Sequence, residues 1–108
     1  MEFINLTCHD ITLYKNDEIA LTIKASGLAR CKEEMHKVDE ILSFPIYSNT
    51  YGEVYGLPEE EEGKLYIVSK IVAEALKGKR KDLLIVADTV RDESGRIIGA
   101  KGFARIWE

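Results

Sequence analysis

Four side chains have the soft donor atoms that bind transition metals. Cys8 and His9 are adjacent, and Cys31 lies five residues before His36. A structural zinc site needs four such ligands that converge in tetrahedral geometry. Adjacent residues of a strand point to opposite faces, so Cys8 and His9 are poorly placed to share an ion. We therefore predict no metal and no cofactor, and we expect both cysteines to be free thiols in a cytosolic chain.

The sequence also has the residue types of a catalytic base and its orienting carboxylate, His9 and Asp10. Side by side on a strand, however, these two side chains cannot easily hydrogen-bond to each other. The candidate nucleophiles, Thr7, Cys8 and Ser69, are suggested by residue type alone. We accordingly predict a protein without catalytic residues.

A third group of residues could bind an anionic ligand. Ser69 follows a buried-type strand and stands where a helix N-cap is expected, and the free N–H groups of a helix start attract anions. Arg91 precedes a predicted hairpin, and a guanidinium can bind phosphate or carboxylate through two hydrogen bonds. We predict a ligand site built from His9, Asp10, Ser69 and Arg91, near a subunit boundary. In the structural alternative, Ser69 only caps the helix, Arg91 pairs with a neighbouring surface carboxylate, and His9 ends a strand.

Three tyrosines recur at a spacing of four residues: Tyr47, Tyr51 and Tyr55. On a strand this spacing places them on one face if no bulge intervenes. Such a face could stack on a base or line an interface, although half-buried strand tyrosines are common. Gly52, inside this stretch, indicates a bulge or a close backbone approach.

The elements that must position these residues are mostly strands. Apolar and polar residues alternate with a period of two over residues 11–15 and 18–24, and Asn16-Asp17 between them predicts a tight hairpin. Residues 83–86 form a continuous apolar run, which is typical of a central strand. Asp92-Glu-Ser-Gly95 predicts a second hairpin with a glycine bulge.

One helix is predicted, over Lys70–Lys77, with Ser69 as its N-cap and Gly78 after its last turn. Residues 32–42 could be helix by propensity or irregular strand by pattern, and a strand with a bulge is the preferred interpretation. Together the patterns predict an α+β domain, mostly β, of short antiparallel strands with one short helix. The sheet is expected to be rolled or to form a partly open barrel.

Composition narrows the class of protein. The chain has 108 residues, 45% apolar and 31% charged, which predicts a single globular domain over residues 1–108. Its net charge of −4 disfavours a nucleic-acid partner. We find no signal-peptide pattern after Met1 and no apolar run long enough to span a bilayer, so we expect a cytoplasmic protein without a membrane partner.

Strand edges need covering, and Phe103 and Trp107 offer apolar surface, which predicts a homo-oligomer, most simply a dimer.

Three stretches resemble a widespread family of small proteins from tailed phages and prophages. They are Asn-Leu-Thr-Cys-His-Asp-Ile at residues 5–11, Tyr-Ile-Val-Ser at 66–69 with Val72-Ala73, and Val-Arg-Asp-Glu-Ser-Gly-Arg-Ile-Ile-Gly at 90–99. Family members commonly have Asn-Leu-Thr-Pro-His, whereas this chain has Cys8 in place of the proline, which argues against an essential role for Cys8. The resemblance spans nearly the whole chain. It implies a phage or prophage accessory protein in the cytoplasm of a bacterial host, and it implies no known activity.

Phage proteins of this size often act on host machinery, and some are stoichiometric sponges for cyclic nucleotide signals of antiviral defence. We therefore predict non-catalytic binding and sequestration of a small anionic nucleotide-type ligand. The alternatives are a protein–protein interaction module that inhibits a host protein, or a virion or structural accessory protein.

Overall fold

The computed structural model describes residues 1–106, so Trp107 and its predicted part in a pairing surface lie outside the described residues. This part of the chain contains eight strands and one helix. In chain order these are β1 (Glu2–Asn5), β2 (Ile11–Lys15), β3 (Glu18–Ile23), β4 (Arg30–Ile41), β5 (Phe44–Tyr55), β6 (Lys64–Ile67), α1 (Lys70–Ala75), β7 (Leu83–Arg91) and β8 (Ile97–Ala104). The prediction of a mostly β fold with one short helix is confirmed.

The strands form two sheets. Six of them make a curled, open half-barrel in the order β1-β6-β7-β8-β2-β3, and β4 and β5 make a separate two-stranded sheet, which we call the arm. The hairpins β2–β3 and β7–β8 are antiparallel as predicted, and β4 and β5 form a third antiparallel hairpin. β1–β6 and β6–β7 are parallel, and β2 meets β8 in parallel at one residue pair. The parallel pairing of β6 with β7 needs a crossover, which α1 supplies.

Residues 32–41, which the sequence left open between helix and strand, belong to the bulged strand β4, and Leu42 begins the turn that follows it. The register between β4 and β5 shifts at Cys31/Glu33 and again at Lys37/Asp39. Each strand of the arm has 12 residues, so these two strands are long rather than short. β5 continues through Gly52 as one strand. The first shift lies opposite Gly52, as expected for a glycine that marks a bulge.

The helix begins as predicted and ends early. Ser69 is its N-cap, and the Ser69 hydroxyl accepts a hydrogen bond from the Val72 amide at 3.4 Å. The last helical residue is Ala75, two residues before the predicted end. The chain leaves the helix through a turn in which the Lys79 amide donates to the Leu76 carbonyl at 2.9 Å, and Gly78 takes a positive φ of 78°.

Two buried clusters lie on opposite faces of the β6–β7 pair. Tyr66 and Leu83 point to the helix side, where Val72 and Ala73 of α1 are each about 1% exposed. Ile67 and Leu84 point to the other side and pack with Ile11 of β2. Alternation along these strands therefore buries both of their faces, which accounts for their continuous apolar sequence. Phe103 of β8 is half-buried and its ring packs on that of Phe3 at 5.2 Å between centroids. Within residues 1–106, no helix is both long enough and apolar enough to cross a membrane.

Candidate functional site

The loop between β1 and β2 is organised by one buried amide side chain, that of Asn5. Its Nδ2 atom donates to the carbonyl oxygens of His9 at 2.8 Å and Ile23 at 3.0 Å. Its Oδ1 atom accepts from the Thr7 backbone amide at 2.9 Å and from the Thr7 hydroxyl at 2.6 Å. Asn5 is 1% exposed, so these four contacts replace water at all of its side-chain polar positions.

These contacts give a physical reason for the Asn-x-Thr-x-His spacing. Asn5 and Thr7 bend the chain so that the His9 carbonyl faces inward and the His9 side chain is left exposed. Asp10 completes the loop, because its Oδ1 atom accepts from the Ala25 amide at 2.9 Å and ties the loop to the end of β3. The Asn-x-Thr-x-His motif therefore fixes the backbone of the loop that carries His9 and Asp10.

Next to this loop, the surface forms an open cleft of about 620 Å³. Its floor is apolar and is built by Ile11, Val68, Ile85, Val86, Ile97 and Ile98. Its polar lining consists of hydroxyl and ionisable side chains, namely Thr7, His9, Asp10, Thr12, Ser69, Lys70 and Thr89. The cleft lies beyond the carboxyl ends of β1 and β6, which are parallel neighbours.

The cleft brings together three of the four residues predicted as a ligand site: His9, Asp10 and Ser69. Arg91 does not line it. The Arg91 guanidinium is exposed and donates from Nη1 to the Gly95 carbonyl at 2.7 Å, so it closes the β7–β8 hairpin. Arg91 is the last residue of β7, two residues beyond Thr89, which does line the cleft.

The anion site expected at the start of α1 is weaker than the sequence suggested. The helix has only six residues, so its aligned peptide dipoles are few. The Ser69 hydroxyl is already the acceptor for the Val72 amide, as in an ordinary N-cap. The Ser69 hydroxyl can still donate a hydrogen bond to a ligand in the cleft. The positive charge at this position belongs to the next residue, Lys70.

Sequence reasoning missed Lys70, Thr12 and Thr89 as cleft residues. Lys70 is 72% exposed at its side chain, and its Nζ atom is 4.0 Å from a Glu74 carboxylate oxygen, a distance at which an exposed ion pair contributes little. Its position directly after Ser69 was the available signal. Thr12 and Thr89 occupy polar positions in β2 and β7, and nothing local distinguishes them from other strand threonines.

The remaining candidates lie elsewhere. His36 is on the arm, where its Nε2 atom is 3.0 Å from the Thr50 hydroxyl oxygen. Cys8 is exposed, Cys31 is half-buried, and both are free thiols. Within residues 1–106, no three His, Cys, Asp or Glu side chains are grouped so that they could hold a metal ion.

The tyrosine face is divided by the bulge at Gly52. Tyr47 and Tyr51 pair with Lys37 and Glu33 and share one face of the arm, whereas Tyr55 pairs with Arg30, beyond the register shift. The Tyr51 hydroxyl donates to a Glu74 carboxylate oxygen at 3.0 Å, and this hydrogen bond raises the pKa of Tyr51. None of the three tyrosines lines the cleft.

Comparisons of the chain with family models, with curated proteins and with solved structures find no match. The resemblance to the phage family therefore stays a prediction.

Proposed function

We propose that this protein binds a small anionic, nucleotide-type molecule in the cleft and holds it without chemical turnover. The observation that carries the proposal is the convergence of His9, Asp10 and Ser69, from two separate parts of the chain, on one cleft of about 620 Å³. This volume is within the range of about 300–1,000 Å³ that is typical of small-molecule sites.

The position of the cleft supports the proposal. In sheets with parallel strands, ligands bind beyond the carboxyl ends of the strands, where the connecting loops meet. β1 and β6 are parallel, and the segments that follow them supply the cleft residues Thr7, His9, Asp10, Ser69 and Lys70. These loops are tied down by the Asn5 and Ser69 hydrogen bonds, so a ligand would meet a largely preformed site.

The chemistry of the lining favours a ligand with one planar apolar part and one charged part. The isoleucine and valine floor would cover a base. Lys70 and the neighbouring hydroxyl groups would receive a phosphate, since an ammonium donates up to three hydrogen bonds and a hydroxyl donates one. Asp10 is already an acceptor for the Ala25 amide, which leaves its other oxygen for a donor on a base or sugar.

The role of sequestration follows from the phage resemblance together with this binding chemistry. A sponge must bind its ligand tightly and release it unchanged, so it needs a cleft but no nucleophile. On this proposal the ligand belongs to the nucleotide signals of antiviral defence in the bacterial host.

The test is a melting-temperature screen against cyclic dinucleotides, cyclic oligonucleotides and ADP-ribose derivatives, followed by calorimetric titration of each hit. A ligand that binds only the folded state raises the apparent stability by RT ln(1 + [L]/Kd). Chromatography of the ligand after denaturing the complex should recover it unchanged. A hydrolysed product would refute sequestration, and the absence of any nucleotide hit would refute the nucleotide proposal.

Two variants then test whether the ligand binds in this cleft. Lys70→Ala should weaken binding by roughly tenfold to a hundredfold, since a charge-assisted contact contributes about 1.5–3 kcal/mol. Arg91→Ala is the matched control, because it also removes one positive charge but lies outside the cleft. If Arg91→Ala weakens binding and Lys70→Ala does not, the ligand binds somewhere other than this cleft.

A second candidate function, contact with a host protein, is favoured by the tip of the arm. Ile41, Leu42 and Phe44 are 58%, 87% and 70% exposed. Leu42 also has a positive φ of 51°, a conformation that is uncommon for a bulky residue and that tends to persist where function requires it.

Leu42→Asn tests this candidate, because asparagine suits the positive φ and removes the apolar side chain. We expect the variant to fold normally and to lose a host partner that wild-type protein retains on an affinity column. Ile19→Asn, at another exposed apolar position, should retain the partner. Equal retention by both variants would exclude the arm tip as the contact.

A further inference from the structure

One five-residue segment of β4 has side chains whose charges are complementary to those of a second copy of the same segment running antiparallel to it. Residues 33–37 are Glu-Glu-Met-His-Lys. If two copies of this segment lie antiparallel with Met35 opposite Met35, Glu33 of each copy faces Lys37 of the other. Glu34 then faces His36, whose imidazole carries a positive charge only when it is protonated. Directly opposed pairs of unlike charge stabilise antiparallel strands.

The structure leaves this edge of β4 open. Among the described residues, β5 is the only strand that pairs with β4, and all five residues of the segment are exposed. The two register shifts of the arm fall at Cys31/Glu33 and Lys37/Asp39, so residues 33–37 are the regular stretch between them. Residues 33–37, which have the complementary charges, are therefore also the part of the β4 edge that can pair regularly with a further strand.

We infer that two copies of this protein associate through their β4 edges, antiparallel, with Met35 on the two-fold axis. The two arms would become one four-stranded sheet in the order β5-β4-β4-β5. An isolated two-stranded ribbon is marginally stable, and two further strands supply the hydrogen bonds that its open edge lacks. The pairing also places the exposed Met35 side chains of the two copies beside each other on one face.

Charge order selects this register over its neighbours. A two-fold axis between two antiparallel strands places one residue opposite its own copy, so the neighbouring symmetric registers have Glu34 or His36 on the axis in place of Met35. A slip in one direction places Glu34 opposite Glu34, and a slip in the other places Glu33 opposite Asp39. Like charges directly opposite are destabilising. Charged residues normally protect a strand edge from indiscriminate pairing, and here their order admits a second copy of the same strand.

Ion pairs within one chain compete only weakly with this arrangement. Glu34 is 3.8 Å from Lys32 and 3.7 Å from His36, and Lys37 is 3.0 Å from Glu40. All of these side chains are at least half exposed, so each pair contributes little. The inference does not rest on the proposed ligand site, because none of the residues that line the cleft belongs to β4 or β5.

Sedimentation equilibrium of the full chain tests the inference. Wild-type protein should be in monomer–dimer equilibrium at micromolar concentrations, and Glu33→Lys and Lys37→Glu should each weaken the dimer by roughly tenfold or more. The reason is that each reversal converts two symmetry-related pairs from attractive to repulsive. An equimolar mixture of the two variants should restore the dimer, since both pairs between positions 33 and 37 again join unlike charges in the mixed dimer.

Two control variants match these charge changes at exposed sites outside the arm. Glu62→Lys and Lys101→Glu should dimerise like wild type, and circular dichroism should show that all variants are folded. A wild-type chain that stays monomeric throughout this range would overturn the inference. So would charge reversals that leave the dimer intact, or a mixture that stays monomeric.

The register has its own test. In a Cys8→Ser background, the M35C variant should form a covalent dimer on mild oxidation, because residues opposite each other across a strand pair have Cβ atoms about 4.5–5.5 Å apart. L42C in the same background, at the tip of the arm, should not. Equal cross-linking of the two variants would contradict the proposed axis.

Discussion

Replacing Asn5 by alanine tests whether the buried amide builds the β1–β2 loop. The substitution removes two donated and two accepted hydrogen bonds. It also leaves a small cavity at a position that is 1% exposed. The Ile23 carbonyl loses its side-chain donor, and the Thr7 amide loses its acceptor. We expect Asn5→Ala to destabilise the fold and to loosen the cleft at the same time.

The magnitude follows from the hydrogen bonds. Each contributes about 0.5–1.5 kcal/mol net, and a buried polar group left without a partner costs about 1–3 kcal/mol. The Thr7 hydroxyl lies 3.0 Å from the His9 carbonyl and can donate there once Asn5 is gone, which recovers one bond. The expected loss in the free energy of unfolding is therefore about 3 kcal/mol. For a chain of this size that corresponds to a fall in Tm on the order of 10–20 °C.

Urea and thermal unfolding followed by circular dichroism measure this loss. Asn49→Ala is the matched control, because the Asn49 amide donates one exposed hydrogen bond to Glu33 and its loss should cost less than about 1 kcal/mol. Thr7→Val removes only the hydroxyl contacts and should fall between the two. If Asn5→Ala unfolds at the same urea concentration as Asn49→Ala, the argument that Asn5 holds the loop is wrong.

Three further predictions concern other parts of the fold. Gly56 has a φ of 78°, and a Cβ there would overlap the Leu28 carbonyl oxygen, so Gly56→Ala should cost at least about 2 kcal/mol. Gly63→Ala, at a φ of 84° with no atom near the new Cβ, should cost only about 1 kcal/mol in the same urea titration. Asp82 is 6% exposed and accepts two hydrogen bonds from Arg80, at 2.6 and 2.8 Å, which raise the pKa of Arg80. Asp82→Asn should destabilise the fold by about 2–4 kcal/mol, and a loss no larger than that of Asp39→Asn on the exposed arm would contradict the importance of this pair. Hydrogen bonds from Ser94 and Arg96 lower the pKa of Asp92 below its ordinary value of 3.8. Its contribution to stability is therefore present above pH 3.8 and is lost as the pH falls through the lower folded-state pKa. Urea midpoints of wild type and Asp92→Asn should accordingly converge at acid pH, and a constant difference would refute this linkage.

The features that the sequence predicted correctly are those set by neighbours along the chain. Asn16 and Asp17 adopt φ values of 53° and 63°, as their tolerance of left-handed backbone indicated. Ser69 caps the helix, and Gly95 has the positive φ expected of the second hairpin. Alternating polarity was enough to identify a mostly β chain, because side-chain direction in a strand depends only on position along that strand.

Tertiary structure alone decided how these elements come together. The parallel pairing of β1 with β6 joins segments about 60 residues apart, and no local preference of either strand specifies it. That pairing brings the β1–β2 loop and the start of α1 to one cleft, so that Lys70 lines the same cleft as His9 and Asp10. The same holds for the tyrosines, since a bulge moves Tyr55 off the face of Tyr51 and a one-residue shift in register reverses every side chain beyond it. Local propensity thus determined which elements form, and the pairing of strands that are distant in sequence determined which residues line the candidate site.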